Sequence, residues 1–380
     1  MAKAKFNHAR IVGITAVVPE KVLNIDDELG FYGGDVKLLE RNKKILGLGT
    51  RHVVDERDCM SDLLEAAAND LLAQINVDKG EIDGLLVAST SHDYRYPATA
   101  CVLQHRLGLS EDTMCNDAAG LGCSAYVHAM LQASALIESG AVKKCLVLAG
   151  DLKSLHSDRR NRNSNMLFGD AGTATLLEWS DESVQSWFVS GTRGAGWKKL
   201  IAPAGGHDIP IYTDIAGLEV TDGTGNVWRM WDDIMRGLEI FKFSTEVGPK
   251  CVNEVLELAG MEQADIDYFA FHQANKQIVR SVAMYLGLPS EKWSAEAFRN
   301  YGNSGVSAVV TDVCHNLCNR KHDKVCMTGF GVGLSWASGL FDLSNAYIGP
   351  VRAYKTPAGK MTRQEKIGYW IRYFKGEIDA

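Results

Sequence analysis

Cys123, His272 and Asn303 bring a sulfur nucleophile, an imidazole and a carboxamide, the residue types needed for acyl transfer through a thioester. Cys123 stands in Gly120-Leu121-Gly122-Cys123-Ser124-Ala125-Tyr126, where small residues lead into a long Ala/Leu-rich helical pattern. The sulfur is therefore expected at a helix N-terminus, where unpaired N–H groups and the macrodipole favour a thiolate and can hold an oxyanion. His272 opens His272-Gln273-Ala274-Asn275 directly after the apolar run Tyr268-Phe269-Ala270-Phe271. Such strand ends are where α/β folds gather ligand groups. Asn303 lies in Gly302-Asn303-Ser304-Gly305, ahead of another helix. Taken singly, each has a plainer reading: an inert buried cysteine, a satisfied core histidine, a turn or N-cap asparagine. The chemistry is argued from the three together.

The elements that must position these residues occur twice along the chain. In the first half, the helical pattern Leu63–Ile75 is followed by Glu81-Ile82-Asp83 and the apolar run 84–88. In the second, Val247–Leu258 is followed by Asp265-Ile266-Asp267 and the run 268–271. The runs 144–150 and 324–329 match at nearly the same offset, and a helical stretch, Ser124–Glu138 or Val306–Leu317, lies between the matched runs in each half. Short apolar strands alternating with helices predict an α/β fold of largely parallel sheets with helices on their faces. The site is expected at the junction of the two halves, 1–180 carrying Cys123 and 181–345 carrying His272 and Asn303. The Gly-, Asp- and Thr-rich stretch 191–226 reads as a surface excursion. Residues 346–380 form an extension; from Val351 onward it has seven Lys/Arg against three acidic residues, and it includes Tyr369, Trp370, Tyr373 and Phe374. It reads as a helix laying its aromatic face on the body.

With 380 residues, 46% apolar and 23% charged, the chain has the composition of an ordinary globular protein. A net charge of −7 argues against general nucleic-acid binding. No run reaches the roughly 18 apolar residues of a membrane span, and the first ten residues lack a signal core, so a cytoplasmic protein is expected. Nine scattered cysteines fit a reducing compartment better than a disulfide framework. Cys314 and Cys318, one helical turn apart near His322, read as a helix end, and no metal site is expected.

The segments Gly122-Cys123-Ser124, Phe168-Gly169-Asp170-Ala171-Gly172, His272-Gln273-Ala274-Asn275, Tyr301-Gly302-Asn303-Ser304 and Gly329-Phe330-Gly331-Val332-Gly333-Leu334-Ser335-Trp336 resemble, in order, β-ketoacyl-acyl-carrier-protein synthase III of the thiolase superfamily. The resemblance spans about residues 9–342. It implies a thiolase-like five-layered αβαβα fold from two pseudo-symmetric halves, usually a homodimer, and it requires no cofactor beyond acyl-CoA or acyl-carrier-protein thioesters as substrates. By the same resemblance Cys123 would carry the acyl group, and His272 and Asn303 would stabilise the enolate of a decarboxylating malonyl-type thioester. The backbone N–H groups of Cys123 and Val332 would form the oxyanion hole. Arg162, Asn275 and Lys276 would contact the pantetheine-bearing substrate, and Tyr96 would reach across the dimer to cap the partner's acyl pocket.

Departures from the family pattern point to a specialised fatty-acid or polyketide-type role. The stretch Arg41–Arg51 lacks the adenine-holding tryptophan and arginine, and Gln277 replaces a usual arginine. This shifts the expected acyl donor from coenzyme A towards carrier protein. The residues leave two other functions open: an acyltransferase that uses Cys123 without decarboxylation, and a non-catalytic scaffold of the same fold.

Overall fold

The computed structural model describes residues 1–118, 120–162, 164–212, 214–223, 225–320 and 322–378. Thr213 and Thr224 of the surface excursion and the last two residues of the extension thus lie outside the described residues. Eleven strands build two central sheets: β1 (Ala2–Phe6), β2 (Ala9–Pro19), β3 (Gly84–Ala88), β4 (Met114–Asp117), β5 (Lys144–Leu152), β6 (Asp170–Trp179), β7 (Ser186–Thr192), β8 (Tyr268–Phe271), β9 (Lys324–Gly331), β10 (Ser335–Asp342) and β11 (Tyr347–Tyr354). The first sheet has the order β11-β2-β6-β5-β3-β4 and the second β1-β7-β10-β9-β8. β3 and β8 are buried throughout, as strands covered on both faces must be.

The helices that matter here are α1 (Val36–Leu46), α2 (Met60–Ile75), α3 (Thr99–Leu107), α4 (Ala125–Glu138), α5 (Gly237–Ala259), α6 (Lys276–Leu286), α7 (Glu296–Tyr301), α8 (Ala308–Leu317) and α9 (Arg363–Phe374). α2 packs on the outer face of the first sheet and α5 on that of the second, while α4 and α8 lie between the sheets. The result is the five-layered αβαβα arrangement. α4 is short of polar residues on every side because both its flanks are covered: Tyr126, Val127, Met130, Ala133 and Ile137 are all buried. One continuous core joins residues of both sheets through α4 and α8.

The internal repeat is visible in the topology. The neighbour sequence β2-β6-β5-β3 runs antiparallel, antiparallel, parallel, and β7-β10-β9-β8 repeats it. The sheets are therefore mixed, not largely parallel as the alternating pattern suggested. The reason is local. β5 returns as β6 through a link without a crossover α-helix, and β9 turns back as β10 after three residues, so both pairs must be antiparallel. The terminal strands are also exchanged. β1 joins the second sheet and β11 the first, so residues 347–354 of the extension are a parallel edge strand.

The remainder of the extension corrects a second expectation. α9 has no buried residue, and Phe374 is 82% exposed. Trp370 meets Tyr94 edge-on at 6.2 Å, and the Lys366 ammonium donates to the Arg57 carbonyl. The helix is tethered by such contacts and does not bury its aromatic face.

Candidate active site

Cys123 occupies a single 3-10 turn, Gly122–Ser124, that feeds directly into α4. The pseudo-equivalent turn, Gly305–Ser307, feeds into α8, and the two turns contact each other. Their glycines are demanded by space. A β-carbon on Gly305, whose φ is +63°, would lie 2.1 Å from an Asp151 carboxylate oxygen. Gly329 on β9 faces the Cys123 turn so closely that a β-carbon would lie 2.6 Å from the Cys123 carbonyl oxygen and 2.9 Å from Ser124 Cα. Backbone cannot yield as a flexible side chain would, so Gly329→Ala is expected to cost about 1–3 kcal/mol and to slow acylation of Cys123. Urea denaturation and acyl loading measure the two effects; unchanged values would refute the close-approach argument.

The turn is locked to the loop after β9. Ser124 Oγ and Ser335 Oγ lie 2.7 Å apart, one hydroxyl donating to the other, and the accepting hydroxyl donates onward to a carbonyl, Val332 at 2.6 Å from Ser335 or Leu121 at 3.1 Å from Ser124. Cys123 and Val332 thereby share the wall of one cavity of about 590 Å3.

His272 extends from the parallel neighbour of β9. Its N–H donates to the Thr328 carbonyl at 2.8 Å, and its ring stands edge-on to Phe330 at 5.8 Å. The Cys123 turn abuts Gly329 and Gly331 of the same strand, so sulfur and imidazole are assembled around one strand end. The imidazole is only 2% exposed, and its Nδ1 has no hydrogen-bond partner. Leaving such an atom unpaired is costly unless a ligand uses it. Burial pushes the His272 pKa down to about 3, so the ring is neutral at physiological pH.

Asn303 is held at its backbone on both sides: its N–H donates to the Leu167 carbonyl at 2.8 Å, and its carbonyl accepts from Gly169 N–H at 3.1 Å. Its Oδ1 accepts from Gly305 N–H at 3.0 Å. This fixes the amide plane and leaves Nδ2 as the group suited to donate to a substrate oxygen. His272 and Asn303 are buried beside the Cys123 cavity and not on its wall; Phe168, which bridges to Asn303, is on it.

A second cavity, of about 880 Å3, is lined by Arg162, Met166, Leu167, Leu238, Asn275 and Gln277 among others. Leu167 faces this cavity and Phe168 the first, so adjacent residues divide two compartments at the Asn303 contact. Asn275 is also the N-cap of α6, accepting from Ile278 N–H at 2.9 Å. Lys276 departs from its expected place. It packs on Gly47 and faces a separate depression with Glu296 and Arg299, while Gln277 takes the wall position. One residue along a helix turns the side chain by about 100°, enough to move it off that wall. Tyr96 is 84% exposed and lines neither cavity.

The thiol environment differs from the expected thiolate. Burial, then the Asp151 carboxylate, push the Cys123 pKa up to about 12 against the lowering effect of Lys153. Cys123 is half-buried and its sulfur faces a cavity, and there desolvation outweighs the helix terminus. Sequence reasoning also missed the polar residues around it. Asp151 ends the apolar run of β5 and accepts from Thr90 N–H at 2.7 Å, Thr90 Oγ1 at 2.8 Å and Val306 N–H at 3.0 Å. Lys153 follows two residues later, and Asp233 reaches the same cavity from just beyond the surface excursion. A lysine just after a buried strand was the available signal. Among the described residues no group of three or more His, Cys, Asp or Glu is placed to hold a metal.

Two matched halves, with Cys123 in the turn before one central helix, Asn303 ahead of the other and His272 at a strand end, have the architecture of a thiolase-type fold. Family models described as 3-oxoacyl-(acyl-carrier-protein) synthase III and its C-terminal region match residues 118–194 and 256–343. A putative 3-oxoacyl-(acyl-carrier-protein) synthase 3 of Campylobacter jejuni is 35% identical over 93% of this chain and 99% of its own. A β-ketoacyl-(acyl-carrier-protein) synthase III of Bacillus pumilus is 32% identical over 87% and 97%. The crystal structure of a 3-oxoacyl-(acyl-carrier-protein) synthase from Burkholderia xenovorans superposes with a TM-score of 0.84 at 31% identity, covering 93% of this chain and 99% of that one. The chain belongs to the 3-oxoacyl-(acyl-carrier-protein) synthase III family of condensing enzymes.

Proposed function

We propose that this chain joins an acyl group carried on Cys123 to a malonyl-type thioester presented by acyl carrier protein. The observations that carry the reading are the buried, neutral His272 with an unpartnered ring nitrogen at the strand end that abuts the Cys123 turn, and the Asn303 amide fixed so that its Nδ2 is left to donate. In the first step the Cys123 sulfur attacks the thioester carbonyl, the carrier's carbon–sulfur bond breaks, and the carrier thiol leaves with the proton. In the second, the malonyl carbon–carbon bond breaks and carbon dioxide leaves. The electron pair becomes an enolate whose oxygen accepts hydrogen bonds from His272 and Asn303. The enolate carbon then bonds to the acyl carbonyl, the carbon–sulfur bond to Cys123 breaks, and the thiol is regenerated by a proton. Backbone N–H groups of Cys123 and Val332 would hold the oxyanion of both tetrahedral states.

The larger cavity, with Arg162 and Asn275 on its wall, is the proposed pantetheine approach. Coenzyme A is the alternative acyl donor there, and Lys276 is better placed for an acidic surface of the carrier protein than for pantetheine. A cytoplasmic homodimer in which each exposed Tyr96 caps the partner's acyl cavity is part of the proposal, as is the division into halves 1–180 and 181–345. No cofactor is required by these steps. No described helix is long and apolar enough to cross a membrane.

The test is intact-protein mass spectrometry after incubation with acyl thioesters, with carboxyl-labelled malonyl-carrier protein followed in parallel. An acyl adduct on Cys123 and release of labelled carbon dioxide are expected. Acyl loading without carbon dioxide release would replace condensation by simple acyl transfer.

A further inference from the structure

The cavity beside Cys123 is not a plain hydrocarbon pocket. Phe168, Leu200, Ile201, Ile211 and Trp231 would by themselves enclose an aliphatic acyl chain, but Lys153 and Asp233 stand on the same wall. Lys153 is 8% exposed, and its ammonium lies 3.4 Å from an Asp233 carboxylate oxygen and 6.0 Å from the Phe168 ring centre. Stability does not explain the arrangement, since a buried ion pair is often no better than well-packed apolar residues in its place. The hydrogen bond is long, and among the described residues it is the only one made by the ammonium's three donors or to the Asp233 carboxylate.

The neighbouring charges narrow what such a pair can take. Asp151 is already engaged by Thr90, Ser91 and the Val306 N–H, so it is not a free ligand group. His156, also on the wall, has its pKa pushed below the usual imidazole range by burial and then by Lys153. The exposed offer to a ligand is therefore one cation and one anion side by side. A carboxylate on the acyl chain would be repelled by Asp233, and an ammonium by Lys153. A methyl group would leave both ions against hydrocarbon. A hydroxyl satisfies both, accepting from Lys153 and donating to Asp233.

We propose that Lys153 and Asp233 are specificity-determining residues that select an acyl group bearing a hydroxyl for transfer to Cys123. This inference rests on Cys123 being the acyl-carrying nucleophile. A site built to hydrogen-bond a substrate hydroxyl discriminates strongly against the analogue lacking it. Because the pair partly satisfies itself when unliganded, a preference of at least about tenfold is expected here.

The experiment measures the rate of acyl loading onto the full chain from pantetheine thioesters of butyrate, 3-hydroxybutyrate, 4-hydroxybutyrate and succinate. One hydroxybutyryl group should load at least about tenfold faster than butyryl, and succinyl should load no faster than butyryl. Lys153→Met and Asp233→Asn, made separately, should each collapse the hydroxyl preference to within about twofold. Equal or faster loading of butyryl by the wild-type protein overturns the proposal while leaving the condensing function intact, and so does a preference for succinyl. If no thioester loads at all, the nucleophile assignment fails and this inference falls with it. The wild-type comparison stands whether or not a variant folds.

Discussion

Cys123→Ala is expected to abolish the covalent acyl adduct and to lower condensation on the order of 10⁴-fold, the scale seen when a member of a nucleophilic constellation is removed. Decarboxylation of the malonyl substrate should persist in that variant. In the proposed mechanism it uses the His272 and Asn303 donors, which are built on a different strand end and a different turn and do not depend on the sulfur. Mass spectrometry reads the first effect and labelled carbon dioxide the second. If decarboxylation vanished with the sulfur, the division of labour argued here would be wrong. The raised thiol pKa of about 12 adds a pH signature. In the absence of substrate the thiolate fraction, and with it alkylation of Cys123, should rise about tenfold per pH unit from 7 to 10. A plateau in the neutral range would contradict the dominance of desolvation.

Removing the imidazole should do the reverse. His272→Ala is expected to slow decarboxylation by about 10²–10³-fold, the usual loss for one preorganised oxyanion donor, with acyl loading of Cys123 far less affected. The more conservative His272→Gln separates this from stability. The ring's pKa falls from 6.5 to about 3 on folding, so between those values the unfolded chain binds a proton that the native protein does not. Its contribution is fully present above pH 6.5 and is lost as pH falls towards 3, roughly 2 kcal/mol of it between pH 7 and 5. His52, His128 and His315 are also depressed by burial and act in the same direction. The wild-type protein should therefore weaken in mild acid, and His272→Gln should weaken by roughly 2 kcal/mol less over that interval. Urea midpoints at the two pH values decide it, and identical losses in both proteins would show that His272 does not titrate as its burial demands.

Much of the architecture was legible in local patterns. The glycines around Cys123 and Asn303 marked turns, the Ala-rich run after Cys123 marked a helix, and the matched runs 84–88 and 268–271 announced a repeated unit. Strand direction was not legible. The pattern that marks a strand is the same whether its neighbour is reached by a crossover helix or by the short turn between β9 and β10. The aromatic residues of α9 read as a packing face, but only Trp370 meets an aromatic ring of the body, Tyr94, and Phe374 stays in the open.

The order and identity of its residues alone settled that this chain has a sulfur, an imidazole and a carboxamide to bring together, and that two similar α/β units would do it. Only the tertiary structure decided the environment those groups meet. It turned Gln277 and not Lys276 onto a cavity wall, and it desolvated the thiol, with Asp151 near it, so that the proton is retained. It also joined Lys153 to Asp233 across eighty positions of chain. Periodicity records which side of an element is buried, a matter of neighbours three or four residues away. Charge, desolvation and hydrogen bonding depend on distances through space, and those exist only once the sheets and helices have closed around the site.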